Sequence, residues 1–183
     1  MIYKLLAVNS ESSVNIGDFI QSVAAAQFLP SIDGFVQREK LKEYDGGEAA
    51  IIMNGWYIHH VEQWPPSFKI LPLFIAFHLN IKAKNELLSL DSLAYLKKYE
   101  PIGCRDMATK RILEENGVRS YFSGCLTLTL GYRYKDPVKN GKYYFVDAYY
   151  GEKWNVKSTL SAFLYYLFHK KEIDIIALKH PDK

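Results

Sequence analysis

The sequence predicts an α/β fold, a parallel sheet whose strands are joined by crossover helices. Short apolar runs alternate with helical stretches along the 183 residues. A polar cluster follows the end of each of four of those runs. The first pattern builds a parallel sheet, because a strand returns to its neighbour in the same direction only through a crossover. The second marks the carboxyl edge of that sheet, where open α/β folds bind ligands.

Residues 2–8 read as a buried strand, followed by a polar loop over 9–17. Asp18 is expected to cap a helix over 19–29, with Pro30 just past its end. A short strand is expected at 34–37 and a turn at Asp45-Gly46-Gly47. Residues 49–53 form a buried strand that runs into Asn54-Gly55-Trp56. The apolar stretch 68–81 is interrupted by Pro72, and a strand is expected over 73–79. A short helix follows at 92–99, then a strand at 101–104 that ends on Arg105-Asp106. Residues 107–116 read as a helix with Gly117 past its C-terminus, and 120–122 as a strand that ends at Ser123-Gly124-Cys125. Residues 132–141 are polar, with Pro137 and an Asn140-Gly141 turn. The expected organisation is a first domain over 1–135, a linker over 136–141 and a second domain opening at 142–183. In that second part a strand is expected at 143–148, a helix at 156–169 and a strand at 173–178. One strand–helix–strand unit cannot cover both faces of a sheet, so the second domain reads as incomplete.

Hydrophobic residues make up 49% and charged residues 23%, enough for a packed core. The net charge is +3, with 23 basic residues scattered among 20 acidic ones. That distribution excludes a nucleic-acid footprint and suits anionic small substrates. The 14 tyrosines suit surfaces that are apolar and hydrogen-bonding at once, such as sugar contacts. Two cysteines, Cys104 and Cys125, are too few for a disulfide framework and lack metal-ligand spacing, so neither metal nor cofactor is expected. No uninterrupted apolar run reaches membrane-spanning length, and the N-terminus reads as a strand; the expected location is the cytoplasm.

The four clusters are Asn15-Ile16-Gly17-Asp18, Asn54-Gly55-Trp56, Gly103-Cys104-Arg105-Asp106 and Ser123-Gly124-Cys125-Leu126-Thr127. Gly17 lets the backbone turn tightly ahead of a helix whose free N–H groups can meet an anion or a hydroxyl. Arg105 sits at a strand end just before a helix. Its guanidinium fork can hold a carboxylate or a phosphate, or it can pair with Asp106. Cys104 reads as a buried apolar residue. Cys125 follows a glycine on a loop, and a nucleophilic role would need a histidine brought to it by folding. His59 and His60 read as a solvated loop pair, His78 as a satisfied core residue, and His169 as a helix-end cation. His180 follows the last strand.

These segments also carry a family resemblance. NIGDFIQSVAAAQFLP, MNGW and PIGCRDMATKRILEENGVRSYFSGCLTLTL are similar to consecutive blocks of the polysaccharide pyruvyltransferase family. The resemblance is best over residues 1–135 and weakens after that. It implies Rossmann-like halves in a GT-B-like architecture, of which the second is incomplete here. It implies transfer of pyruvate from phosphoenolpyruvate onto two hydroxyls of a saccharide acceptor, giving a ketal in surface polysaccharide biosynthesis. Arg105 matches the basic position of the family's N-terminal half and is the expected catalytic anion clamp. Asn15, Gly17, Asp18, Asn54, Gly55, Trp56, Ser123, Gly124 and Thr127 are the expected substrate-binding residues. Further basic contacts are expected from a missing C-terminal half or from a homo-oligomer partner. A GT-B glycosyltransferase using a nucleotide sugar and a non-catalytic glycan-binding half-domain are the competing readings.

Overall fold

The computed structural model describes residues 1–8, 15–57, 60–135, 143–146, 164, 167–168 and 173–176. The loop at 9–14, the linker at 136–141, His59, His169 and His180 lie outside the described residues. The chain divides into two compact units, Met1–Lys135 and Asp136–Lys183.

The first unit is a mixed α/β, Rossmann-like body built on a parallel sheet. Its strands are β1 (Ile2–Tyr3), β2 (Leu5–Ala7), β3 (Phe35–Gln37), β4 (Ala49–Trp56), β5 (Ile70–His78), β6 (Ile102–Cys104) and β7 (Ser120–Phe122). Five of them form one sheet in the order β1-β4-β5-β6-β7, and β2 pairs with β3. Every pairing is parallel. β1 and β2 are one stretch whose ladder changes partner at its middle. The Lys4 N–H donates to the Ala50 carbonyl at 3.1 Å, and the Leu5 N–H donates to the Gly34 carbonyl at 3.0 Å. The spatial order is therefore β3, β1/β2, β4, β5, β6, β7. The chain steps one way from β2 to β3 and the other way from β3 to β4. The topological switch point lies between β2 and β4, where such sheets open a crevice at their carboxyl ends.

Both faces of the sheet are covered, so its central strands are apolar up to their carboxyl ends. Helix α1 (Ile16–Ala26) and the 3₁₀ segment Leu126–Tyr132 cover one face. There Ala24 and Ala25 pack with Leu5, Ile52, Ala76 and Leu126. Helices α2 (Lys84–Leu87), α3 (Leu90–Lys98) and α4 (Met107–Glu115) supply Leu87, Leu96 and Leu113 to a larger cluster. That cluster holds Ile51, Met53, Phe74, Phe77 and Trp64. Trp64 meets Tyr57, Phe74, Phe77 and Tyr95 with ring centroids 5.0 to 6.1 Å apart. Its indole N–H donates to Ser92 Oγ at 2.6 Å, so the ring is buried without an orphaned donor.

Three expectations are corrected. Asp18 does not cap α1: Asn15 does, its side chain accepting from the Gly17 N–H at 3.0 Å. Asp18 lies inside the first turn and is buried. β4 runs through Asn54, Gly55 and Trp56 rather than ending before them. β5 begins at Ile70 and includes Pro72. β6 joins β5 only at the Phe77–Cys104 level, so Pro72 sits where that side of the strand carries no ladder.

Helix α4 starts on Asp106, whose side chain accepts from the Thr109 N–H at 2.8 Å. It ends in a Schellman motif. The Val118 N–H reaches the Leu113 carbonyl at 2.9 Å, the Gly117 N–H reaches Glu114 at 3.0 Å, and Gly117 takes φ 72°.

In the second unit, β8 (Tyr143–Val146) pairs in parallel with β9 (Ile173–Ile176). Leu164, Leu167 and Phe168 are helical, as a crossover between parallel strands requires.

Candidate functional site

Four strand ends present one row of side chains along the carboxyl edge. Trp56 and His78 are register partners at the ends of β4 and β5. The Arg105 N–H continues the ladder by donating to the Phe77 carbonyl at 2.8 Å. The Ser123 N–H donates to the Cys104 carbonyl at 2.9 Å. Trp56, His78, Arg105 and Ser123 thus stand side by side, one strand spacing apart.

His78 was expected in the core, and a β-bulge moves it. Met53 pairs with Phe74 and Gly55 with Phe77, so β5 uses one more residue than β4 over this stretch. Ala76 absorbs the extra residue at φ 55°, with its N–H held by Ser123 Oγ at 3.0 Å. Unbroken alternation would put His78 on the same face as Phe74. The bulge reverses the alternation, so Phe74 and Phe77 both enter the larger core cluster. His78 turns instead toward Trp56, with ring centroids 6.3 Å apart. Its Nδ1 lies 2.6 Å from Asp106 Oδ2, and its side chain is 23% exposed. Burial pushes the Asp106 carboxyl up. Hydrogen bonds from the Thr109 N–H, from His78 and from the Thr109 hydroxyl outweigh that and hold it below its ordinary range.

Asp106 is therefore committed to His78 and to α4, and the expected alternative of an Arg105–Asp106 pair does not form. Arg105 is half-buried, and among the described residues its guanidinium makes no hydrogen bond or ion pair.

A second group sits at the switch point. Asp18 Oδ1 accepts from Arg38 Nη1 and from Trp56 Nε1, both at 3.2 Å. Arg38 and Asp18 are each 2% exposed at the side chain, and Arg38 Nε also meets Glu39 Oε1 at 2.8 Å. Among the described residues Arg38 Nη2 is buried with no hydrogen-bond partner. Arg38 was not among the expected residues. Its one sequence signal is its place directly after the short strand β3, where the carboxyl edge begins.

Asn54 donates from Nδ2 to the Gln21 carbonyl at 2.8 Å, tying β4 to α1. Gly55 takes φ 104°, and a Cβ there would meet Gln21 Oε1 at 2.6 Å. The Ser123 hydroxyl donates toward the Cys104 carbonyl at 3.0 Å as well as accepting from Ala76. Gly124 takes φ 70°. Thr127 Oγ1 and Cys125 Sγ are 3.0 Å apart. Cys104 is buried as expected, and burial pushes its thiol up to about 11. His60 is exposed and paired with Glu62 at 2.8 Å. Among the described residues no group of three His, Cys, Asp or Glu could hold a metal ion. Among them, too, no helix is long and apolar enough to cross a membrane.

A family model, polysaccharide pyruvyl transferase, matches residues 15–181. The chain belongs to that family. The match begins at the residue that caps α1 and continues through the second unit, where the resemblance was expected to weaken. Membership indicates a transferase of the polysaccharide pyruvyl class with a saccharide acceptor. No curated protein and no solved structure matches the chain.

Proposed function

We propose that the chain transfers pyruvate from phosphoenolpyruvate to two hydroxyls of one sugar, closing a cyclic ketal in surface polysaccharide synthesis in the cytoplasm. The observation that carries this reading is the guanidinium of Arg105 in the carboxyl-edge row, which among the described residues makes no hydrogen bond or ion pair. Phosphoenolpyruvate bears a phosphate and a carboxylate, and a guanidinium fork matches either in two-pronged fashion. The neighbouring carboxylate, Asp106, is occupied by His78 and Thr109 and leaves that charge uncancelled. Asn15, Gly17, Asp18, Asn54, Gly55, Trp56, Ser123, Gly124 and Thr127 form the rest of the proposed substrate-binding edge. Several act through the backbone shape they impose rather than through free side-chain groups. In the reaction, protonation at the methylene carbon makes C2 electrophilic. A hydroxyl attacks C2, phosphate departs, and the second hydroxyl closes the ring.

The test is incubation of the full chain with phosphoenolpyruvate and a panel of methyl glycosides bearing hydroxyl pairs. Phosphate release accompanied by a new ketal methyl signal in the proton NMR spectrum is the expected result. Phosphate release without that signal, or none with any glycoside, rejects the reading.

A further inference from the structure

We propose that His78, oriented by Asp106, is the catalytic base that takes the proton of the attacking sugar hydroxyl. The inference rests on the pyruvyl-transfer reading above. Asp106 is held below the ordinary carboxylate range, so it is an acceptor at neutral pH. At 2.6 Å from that carboxylate, Nδ1 must carry the ring proton. The lone pair of the neutral ring is thereby fixed on Nε2, which has no hydrogen-bond partner among the described residues. The carboxylate cannot swing away. The Thr109 N–H holds Oδ1 at 2.8 Å and the Thr109 hydroxyl holds Oδ2 at 3.1 Å. That hydroxyl is itself anchored by the Leu79 N–H at 3.1 Å. Trp56 seats the ring from β4.

The position suits the chemistry as well as the tautomer. Arg105 is one strand over, and neighbouring strands are about 4.8 Å apart. A donor clamped at Arg105 therefore lies beside the base. Among the described residues the charged group in contact with the ring is Asp106, from the turn between β6 and α4; Arg105 is its neighbour in sequence, and behind Trp56 Asp18 is paired with Arg38. Trp56 from β4 and Thr109 from α4 are neutral. The Asp106 carboxylate, 2.6 Å from Nδ1, is placed to compensate the charge the ring takes on during proton transfer.

The step balances. The hydroxyl oxygen bonds to C2 as its proton passes to Nε2. The bond from C2 to the bridging phosphate oxygen breaks with its electron pair on phosphate. His78 then returns its proton to the departing phosphate. The second hydroxyl's proton makes up the one gained by the methylene carbon, so no outside acid, base or oxidant is consumed.

The experiment uses the full chain, phosphoenolpyruvate and the methyl glycosides as probes. In His78→Asn the amide nitrogen keeps a donor in place of Nδ1 while removing the base. Its kcat for phosphate release should fall about 100-fold or more, with phosphoenolpyruvate affinity by calorimetry within about twofold of wild type. Asp106→Asn removes the charge that favours the imidazolium, so the acidic limb of the kcat profile should move to lower pH. Nitrogen NMR of the wild-type imidazoles should show His78 protonated at Nδ1. Wild-type kcat in His78→Asn, an unmoved acidic limb, or an Nε2-protonated ring each overturns the proposal, and the last two stand even if His78→Asn does not fold. A wild-type chain that binds no phosphoenolpyruvate overturns the pyruvyl-transfer reading itself and the proposal with it. A chain that transfers pyruvate and is indifferent to His78→Asn overturns only the assignment of the base.

Discussion

Asp18→Ala should cost about 3 kcal/mol of stability. Asp18 and Arg38 form a buried pair, each side chain 2% exposed. Removing one partner of such a pair typically costs about 3–5 kcal/mol, because the other charge is left uncompensated. The low end applies here because Glu39 stays 2.8 Å from Arg38 Nε. Two further terms keep the value from falling lower: Trp56 Nε1 loses the same acceptor, and Arg38 Nη2 already lacks a partner among the described residues. For a chain of this size a loss of about 3 kcal/mol lowers Tm by roughly 6–12 °C. Urea unfolding at neutral pH measures it. The double variant Asp18→Ala/Arg38→Met should recover much of the loss, because apolar replacement of a buried pair is often neutral. A single-variant cost below about 1 kcal/mol, or a double variant equal to the sum of the singles, would refute this reasoning.

Other outcomes follow from single contacts. Gly55→Ala should destabilise by about 2 kcal/mol, since φ 104° is strained for alanine and its Cβ would meet Gln21 Oε1 at 2.6 Å; thermal melting reads the loss. Iodoacetamide at about pH 8 should label half-exposed Cys125 well before buried Cys104, whose thiol is pushed up to about 11. Peptide mass spectrometry over time distinguishes the two sites. The Asp106 carboxyl sits below its ordinary value. Its contribution to stability is therefore present above the ordinary carboxylate pKa of about 3.9 and is lost as pH falls through its lower folded value. Asp106→Asn should flatten that acidic part of a melting-temperature profile.

The parts of the fold legible in the sequence were those set by local chemistry. The run Ala49–Met53 reads as a strand because both its faces are covered. Gly117 reads as a helix stop because the Schellman turn needs a left-handed residue. The four polar clusters followed from strand ends, and the ladder carries Trp56, Arg105 and Ser123 into one row. The illegible parts depended on tertiary contacts. Asn15 and Asp18 are both sound caps in isolation, and only the burial of Asp18 against Arg38 separates them. Pro72 signals an interruption unless one knows that β6 does not reach it. His78 follows an apolar run and reads as core, because a bulge at Ala76 leaves no mark on composition or periodicity. Arg38 is a single arginine after three strand residues, and nothing nearby in the chain announces its burial.

Calorimetric titration of phosphoenolpyruvate into wild type, Arg105→Lys and Arg105→Ala is the decisive test of Arg105 as the anion clamp. A charge-assisted hydrogen bond contributes about 1.5–3 kcal/mol, which corresponds to a tenfold to over hundredfold change in affinity. Wild type should bind, Arg105→Lys should bind more weakly, Arg105→Ala should lose at least tenfold in affinity, and both variants should keep the wild-type melting temperature. Equal affinity for phosphoenolpyruvate in wild type and Arg105→Ala would rule Arg105 out as the clamp.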